Sequence, residues 1–401
     1  MRICIFTDPF PAWSQTFIYD EISGLKKFGH EIRIISLFKK WFIAHPILKK
    51  IKEIKTHYLS QYDLSFGASP FSKYRLIRMP KYLIKNAVDN KFRLFTTRSL
   101  LALVKAEKPD LFLIHFGALG EKFLWLKKEF DIPYVVFFHG CELNTIQRKR
   151  YNDYAESFRR ADRFLVKSDY MRKKMVELGC KPEKISVIPF GINPEHYHVE
   201  QREKNNEFSK IKLIGVGRLV RYKDFLSALD VISKCIRVCP SLQYDIIGDG
   251  PLKRELLNKI RTLGLSNICF LRGAKSTEEV NKYMNAADIY LQPACYDKYG
   301  ETEAFGNSFL EAGLYGLPVA SSRVGGISET VIHNETGFLA PERDTKTTTE
   351  YLLELIKNKE KRKIMGKKAR INVIQNFDSR KRIIELNQLL ETFLRGPGAN
   401  V

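Results

Sequence analysis

The sequence predicts an α/β protein built from two doubly wound, Rossmann-like domains facing across a cleft, and three observations carry that expectation. Short apolar strand segments alternate with helical segments along the chain, the pattern of parallel sheets covered on both faces. The alternation stops once, in the polar stretch INPEHYHVEQREKNNEFSKI (192–211), and then begins again. With 401 residues and a hydrophobic fraction of 44%, the chain has enough apolar sequence for two separate cores.

In the first half, RICIFT (2–7) is an apolar run with β-branched residues. TFIYDEISGLKKFG (16–29) is apolar at helical spacing and is stopped by Gly29. EIRIISL (31–37) alternates as a strand. DLFLIHF (110–116), YVVFFHG (134–140), DRFLVKS (162–168) and KISVIPFG (184–191) follow, with helical stretches between them. In the second half, strands over 211–219, 244–250, 267–273, 288–293 and 318–322 alternate with helices over 224–238, 251–264, 276–286 and 307–315. Ser276 and Glu279 make a capping-box pattern. Gly316 and Pro318 stop the helix that carries Glu311. Residues 345–376 and 378–395 read as helices. The expected organisation is a first domain over 1–190, a linker over 191–210 and a second domain over 211–377.

Composition bounds the function. The formal net charge is +22, and residues 39–93 hold thirteen Lys/Arg against three Asp/Glu. Trp41, Phe42, Ile43, Ile47, Leu48, Ile51 and Ile54 lie among those cations, an interleaving that suits an anionic membrane surface. A lysine-rich solvated face is the plainer alternative. C₂H₂ spacing, an RNP-like segment and a regular basic helix are all lacking, so nucleic acid is not an expected partner. The seven cysteines (4, 141, 180, 235, 239, 269 and 295) are scattered and form no C-x-x-C pair, which predicts reduced thiols in a cytosolic setting. The start MRICIFTDPF lacks the apolar core of a signal peptide, and no apolar run is long enough to span a bilayer. The expected location is therefore cytoplasmic, peripheral at the inner face of the membrane.

In open parallel sheets, ligands bind beyond the carboxyl ends of the strands, so the loops after strands carry the chemistry. GRLVRYKD (217–224) puts Arg218 and Lys223 before a helix start, where the backbone N–H groups and the helix dipole also favour an anion. Taken singly, these are two surface cations in a cationic protein. GDGP (248–251) is a tight turn in which Gly250 would let the backbone approach a flat ligand; alone it is an ordinary βα turn. ETEAFGNSFLEAG (301–313) places Glu303 in a loop and Glu311 about one turn inside the following helix. Phe305, Gly306 and Asn307 offer backbone N–H groups at that helix start, which suit a phosphate. Ionised carboxylates repel phosphate and accept hydrogen bonds from hydroxyls. A ligand with phosphate in the middle and a polyol at each end satisfies both demands, and a nucleotide diphosphate sugar has that constitution. His139 closes an apolar strand, as does His115; either is a packed core histidine or a site residue. Cys141 beside His139 has no evident third partner for a nucleophilic pair.

These residues together resemble the family 4 glycosyltransferases of the GT-B fold, over nearly the whole chain. Glu303 and Glu311 match the family's E-x7-E signature. EAGLYGLPVASSRVGGISETVIHNETGFLAPERD (311–344) is similar to its helix, Gly-Leu-Pro-Val strand, Gly-Gly turn and Gly-Phe-Leu strand. GRLVRYKD resembles its pyrophosphate loop, FFHG (137–140) the segment whose histidine lies at the reaction centre, and FPAWSQTFI (10–18) the opening of polysaccharide and lipopolysaccharide assembly enzymes. The resemblance implies that Arg218 and Lys223 neutralise the donor diphosphate and that Glu303 holds the donor sugar. It implies that Glu311 holds the ribose, that the amides of Phe305–Asn307 meet sugar and phosphate, and that His139 sits near the anomeric centre. Ser14 and Thr16 would face the cleft from the acceptor side, and the 378–395 helix would pack back on the first domain. The implied reaction is retaining transfer of a hexose to a saccharide or lipid-linked acceptor, with no cofactor. An Asp-x-Asp metal motif is absent, so no metal is expected. Asp224 and Ala304 stand where the family usually has glycine, Gln15 where it often has Glu, and Glu142 where it often has Asp. Two alternatives keep part of this pattern: a GT-B nucleotide-sugar epimerase, and a non-enzymatic membrane- or polyanion-binding protein.

Overall fold

The computed structural model describes residues 1–8, 10, 16–36, 54–59, 97–140, 142–143, 154–197, 199 and 210–395. The chain packs as two compact units. One comprises Met1–Phe138, Tyr154–Leu165 and Asn387–Val401; the other comprises His139–Asp153 and Val166–Leu386.

The first sheet has seven strands: β1 (Arg2–Phe6), β2 (Glu31–Ser36), β3 (Thr56–Tyr58), β4 (Leu111–His115), β5 (Tyr134–Phe137), β6 (Arg163–Val166) and β7 (Ile185–Val187). Their order is β3-β2-β1-β4-β5-β6-β7. Helices α1 (Thr16–Lys27), α2 (Gly117–Lys122), α3 (Trp125–Phe130), α4 (Ala155–Arg160) and α5 (Asp169–Glu177) follow strands, and residues 97–107 are also helical. Ile3, Ile5, Ile34, Phe112, Leu113, Val135 and Phe164 are fully buried. Each such side chain contributes roughly 1.5–3 kcal/mol by leaving water.

The second sheet comprises β8 (Ile211–Val216), β9 (Leu242–Ile247), β10 (Cys269–Gly273), β11 (Ile289–Leu291), β12 (Val319–Ser322) and β13 (Gly337–Ala340). Its order is β10-β9-β8-β11-β12-β13 and its pairs run parallel. Around it lie α6 (Phe225–Cys235), α7 (Lys253–Thr262), α8 (Thr277–Ala286), α9 (Asn307–Leu314), α10 (Ile327–Thr330), α11 (Thr345–Lys357) and α12 (Lys359–Asn376). The neighbours Leu213 and Ile214 enter two different apolar clusters, one with Phe225 and Leu229, the other with Phe309 and Val319. Successive strand side chains point to opposite faces, so a continuous apolar run is what a sheet buried on both sides requires. In this order the direction in which the chain adds strands reverses between β8 and β11. The crevice beyond the strand ends lies there.

Several details depart from the sequence expectation. The helix expected over 345–376 breaks at Asn358, whose side chain accepts the Lys361 N–H at 2.9 Å and caps α12. Within the basic segment, residues 54–59 supply β3. There Ile54 and Leu59 are buried, and Lys55 pairs with Glu107, so Ile54 does not belong to a membrane-facing set. The rest of 39–93 lies outside the described residues, as do Ser14, Gln15, Cys141 and most of the 191–210 linker. Thr16 opens α1, and its side chain is outside the description. His115 is buried, 3.3 Å from Glu21 and stacked on Phe137, a packed position in its strand. The last helix, α13 (Ser379–Arg395), spans both units. Its start bonds to Ile192, whose carbonyl accepts the Ser379 N–H at 2.9 Å. Its later residues belong with the first sheet, where Asn387 Oδ1 lies 2.5 Å from His30 Nε2 and Arg163 lies over Phe393.

Candidate active site

The site grows from the ends of β8 and β11. After Val216 the chain turns through Gly217–Asp224, and α6 begins. Asp224 is the N-cap, its Oδ1 accepting the Ser227 N–H at 3.3 Å, in a left-handed conformation at φ 47°. That φ gives a physical reason for a glycine at this position, and Asp is among the few side chains that tolerate it. Its carboxylate faces the helix rather than the loop's cations. The loop is held by its neighbour: Leu219 N–H donates to Asp249 O at 3.0 Å and Leu252 N–H to Leu219 O at 3.1 Å. A Cβ on Gly250 would stand 2.6 Å from Leu219 O, and one on Gly248 would stand 1.9 Å from Gly217 O. The GDGP glycines thus serve loop-on-loop packing. For Gly250 the structure gives a packing reason for glycine: the Leu219 backbone fills the space a Cβ would take. The Gly250 N–H is itself bonded to Asp249 Oδ1.

Lys223 ends a short 3₁₀ turn and forms a mostly buried ion pair with Glu303. Arg218 is exposed, with its guanidinium 3.4 Å from the Tyr222 hydroxyl. Beneath Lys223 lies Gln292, fully buried at the end of β11. A Cβ on Gly217 would be 3.4 Å from Lys223 Cε and 3.5 Å from Gln292 Oε1. Gln292 Oε1 lies 2.9 Å from the Tyr290 hydroxyl, while its Nε2 has no hydrogen-bond partner among the described residues.

The backbone that carries Glu303 is clamped from two sides. Gly326 N–H donates to Glu303 O at 2.9 Å. Cβ atoms on Gly325 and Gly326 would sit 2.0 Å from Glu303 O and 2.2 Å from Ala304 O. Ser168, the N-cap of α5, donates its hydroxyl to Ala304 O at 2.7 Å, and Glu329 of α10 accepts the N–H groups of Asp169 and Tyr170. Gly140, at φ 116°, abuts Ala304: a Cβ there would be 2.7 Å from the Ala304 methyl. His139 is thereby brought beside the Glu303 loop, and its N–H is held by the buried Glu142 carboxylate at 3.0 and 3.1 Å. Gly306, at φ 92°, leads into α9; a Cβ there would strike the Phe309 ring at 2.4 Å. Phe305 turns its ring into a core cluster with Leu310, Val373 and Phe377, so it can meet a ligand only through its backbone. Asn307 opens α9 and is partly exposed.

Glu311 lies on the first turns of α9, its Oε1 3.4 Å from the Tyr197 hydroxyl, whose ring packs against Tyr315. Burial pushes its carboxyl up to about 7, against the opposing pull of Tyr197 and of the Lys223 charge. For Lys223, burial works against the ammonium, yet the adjacent Glu303 charge outweighs it and holds the group above its ordinary value, with Arg218 opposing. Burial also raises the Asp224 carboxyl, although its bonds to Ser227 resist this. Arg218, Lys223, Glu303 and Glu311 therefore form one electrostatically linked group, with Gly306 and Asn307 at the adjoining helix start and His139 beside the loop. Sequence reasoning missed Tyr197, which lies in the segment read as linker, and Ser168. Gln292 carried one signal, a polar side chain closing the apolar run DIYL.

The model of "Glycosyltransferase Family 4" matches residues 14–196, and that of "Glycosyl transferases group 1" matches residues 199–372. The chain is 30% identical over 371 residues to the amylovoran biosynthesis glycosyltransferase AmsK of Erwinia amylovora, covering 88% of this chain and 90% of that protein. It is 26% identical to the putative colanic acid biosynthesis glycosyltransferase WcaL of Salmonella typhimurium, covering 98% and 100%. Among solved structures, Anabaena Alr3699/HepE in complex with UDP and glucose aligns with a TM-score of 0.73 at 17% identity, covering 98% and 99% of the two chains. The two family models between them span both halves of the chain, and the two parallel-sheet units match the solved fold: this chain is a glycosyltransferase of family 4, with the GT-B fold.

Proposed function

We propose that the enzyme transfers a hexose from a nucleotide diphosphate sugar to a saccharide or lipid-linked saccharide acceptor in cell-surface polysaccharide or lipopolysaccharide assembly, with retention of anomeric configuration. The observation that carries this reading is the Lys223–Glu303 pair beside Arg218 and the start of α9. Breaking the anomeric C–O bond builds negative charge on the leaving diphosphate. In this reading Arg218, Lys223 and the N–H groups at Gly306–Asn307 stabilise that charge. Glu303, once Lys223 turns to phosphate, is free to accept hydrogen bonds from the donor sugar and to face the positive charge developing on its ring. Glu311 accepts from the ribose hydroxyls. His139 orients donor sugar or acceptor near the anomeric carbon. In a front-face path the leaving phosphate oxygen takes the acceptor proton, so no protein nucleophile is required. The site's own cations do the work of a metal.

The likeness to a UDP- and glucose-bound structure and to glycosyltransferases of amylovoran and colanic acid biosynthesis supports this donor and acceptor class. Ser14 and Thr16 on the acceptor side, and contact of residues 39–93 with the inner face of an anionic membrane, belong to the same proposal. Among the described residues no helix is long and apolar enough to cross a membrane.

A panel of UDP-, GDP- and ADP-sugars, read by thermal shift and then by turnover with and without EDTA, tests the reading. One donor class should raise the melting temperature by mass action. Turnover should persist in EDTA, and Lys223→Ala should lower kcat by about 10²–10³-fold. Wild-type rates in that variant, or loss in EDTA restored by Mn²⁺, would overturn the corresponding assignment. An epimer formed without acceptor would favour the epimerase alternative.

A further inference from the structure

Helix α12 has two apolar faces, and the fold accounts for one. The inward face holds Met365, Gly366, Ala369 and Val373. It packs closely: a Cβ on Gly366 would lie 2.0 Å from Gly316 O, and one on Gly313 would lie 2.9 Å from Val373. The other face carries Ile364, Ile371 and Ile374, which are 51%, 43% and 41% exposed. At about 100° per residue the three fall within roughly 80° of arc. Lys367 and the acid Glu360 lie inside that arc. Lys363 and Arg370 border it on one side and Lys368 on the other.

Over its length α12 carries seven Lys/Arg and one acid, Glu360. The nearby acids are few. Glu335 reaches Lys368 at 3.9 Å, and Glu354 pairs with Lys361, about 20° beyond Lys368 around the helix. Lys363 and Lys367 form no ion pair among the described residues. Like charges four apart destabilise a helix, and a single exposed isoleucine is ordinary, but an isoleucine ridge with Lys363, Lys367, Lys368 and Arg370 around it against the one helix acid Glu360 is not required by the fold. A second copy fits it poorly, because a chain of net charge +22 repels itself. An anionic bilayer suits both features: isoleucines enter the acyl boundary while lysine stems extend to the phosphates.

We propose that the outer face of α12 is a docking surface for an anionic lipid bilayer, with Ile364, Ile371 and Ile374 inserted and Lys363, Lys367, Lys368 and Arg370 at headgroup level. This contact is separate from the donor site and from residues 39–93.

The test is co-sedimentation of the full chain with phosphatidylglycerol-containing vesicles and with phosphatidylcholine vesicles. Ile371→Glu/Ile374→Glu and Lys363→Glu/Lys367→Glu are the variants, with 39–93 unchanged in all. The wild type should bind the anionic vesicles only, and each variant should bind them about tenfold or more weakly. Melting temperature and donor-induced thermal shift should stay unchanged, since none of these side chains touches the donor site. Variants that bind within twofold of wild type would overturn the proposal, as would a wild type that ignores anionic vesicles. A wild-type dimer that the isoleucine variant converts to monomer would also overturn it, assigning the face to a second copy.

Discussion

Replacing Gly326 by alanine adds one methyl group to the clamp behind Glu303. Gly326 has φ −88°, a conformation open to any residue, so backbone strain plays no part. The added Cβ would lie 2.2 Å from Ala304 O, 2.8 Å from Ala304 C and 3.0 Å from Phe305 Cα. All three are backbone atoms and cannot rotate away. Restoring van der Waals distance requires the two segments to part by about 1 Å, which also stretches the 2.9 Å bond from Gly326 N–H to Glu303 O. Overpacking of this kind costs about 1–3 kcal/mol, and the weakened hydrogen bond adds about 1 kcal/mol. Because Glu303 rides on the displaced backbone, its carboxylate moves relative to Lys223. A misplacement of about 1 Å in a site held for reaction lowers the rate by roughly 10²-fold. Glycosyl transfer with the identified donor, alongside urea denaturation, reads both effects. Gly264→Ala is the control: its φ of 68° makes alanine strained by about 1 kcal/mol, but nothing lies within 4 Å of the new methyl, so turnover should be kept. A Gly326→Ala enzyme with wild-type turnover would show that the clamp does not position Glu303.

Two further outcomes follow from buried carboxylates. The Glu311 carboxyl is raised by burial to about 7, above its unfolded value, so between about pH 4.5 and 7 the native state holds the extra proton. Stability should therefore fall as pH rises through that window, and Glu311→Gln should flatten the dependence of melting temperature on pH. Tyr197→Phe removes a bond to the carboxylate and should move the upper edge of the window to higher pH; an unchanged profile in both variants would contradict the assignment. Asp224→Gly relieves a left-handed residue at a cost of only a few tenths of a kcal/mol in capping. The variant should gain about 0.5–1 kcal/mol in denaturant titration, and a lower midpoint would show that the Asp224 cap outweighs its strain.

Much of the candidate site in the second half was readable from residue order. Arg218 and Lys223 on one loop, and Glu303 and Glu311 across a helix start, are local patterns whose spacing limits where their side chains can go. Partners that come from afar left no such trace. Tyr197 meets Glu311 across 114 residues, Ser168 meets Ala304 across 136, and Glu329 caps α5 across 160. Gly250 was visible, but its packing against the Leu219 backbone was not, because that backbone comes from the preceding βα loop. Ile54 read as part of a basic surface, since nothing in a basic segment announces that Thr56–Tyr58 leave it for a sheet edge and bury their neighbours Ile54 and Leu59.

By itself, then, the order of residues determined the alternation of strands and helices, the repeat of that pattern in two halves, and the charged loops at the strand ends. These depend on hydrophobic period, turn chemistry and helix capping, all acting over a few residues. Tertiary structure alone decided that Lys223 and Glu303 neutralise each other, that Glu311 titrates near 7, and that α12 presents isoleucines outward. Each depends on what remote segments bring or fail to bring to a side chain, and desolvation and close packing act through space rather than along the chain.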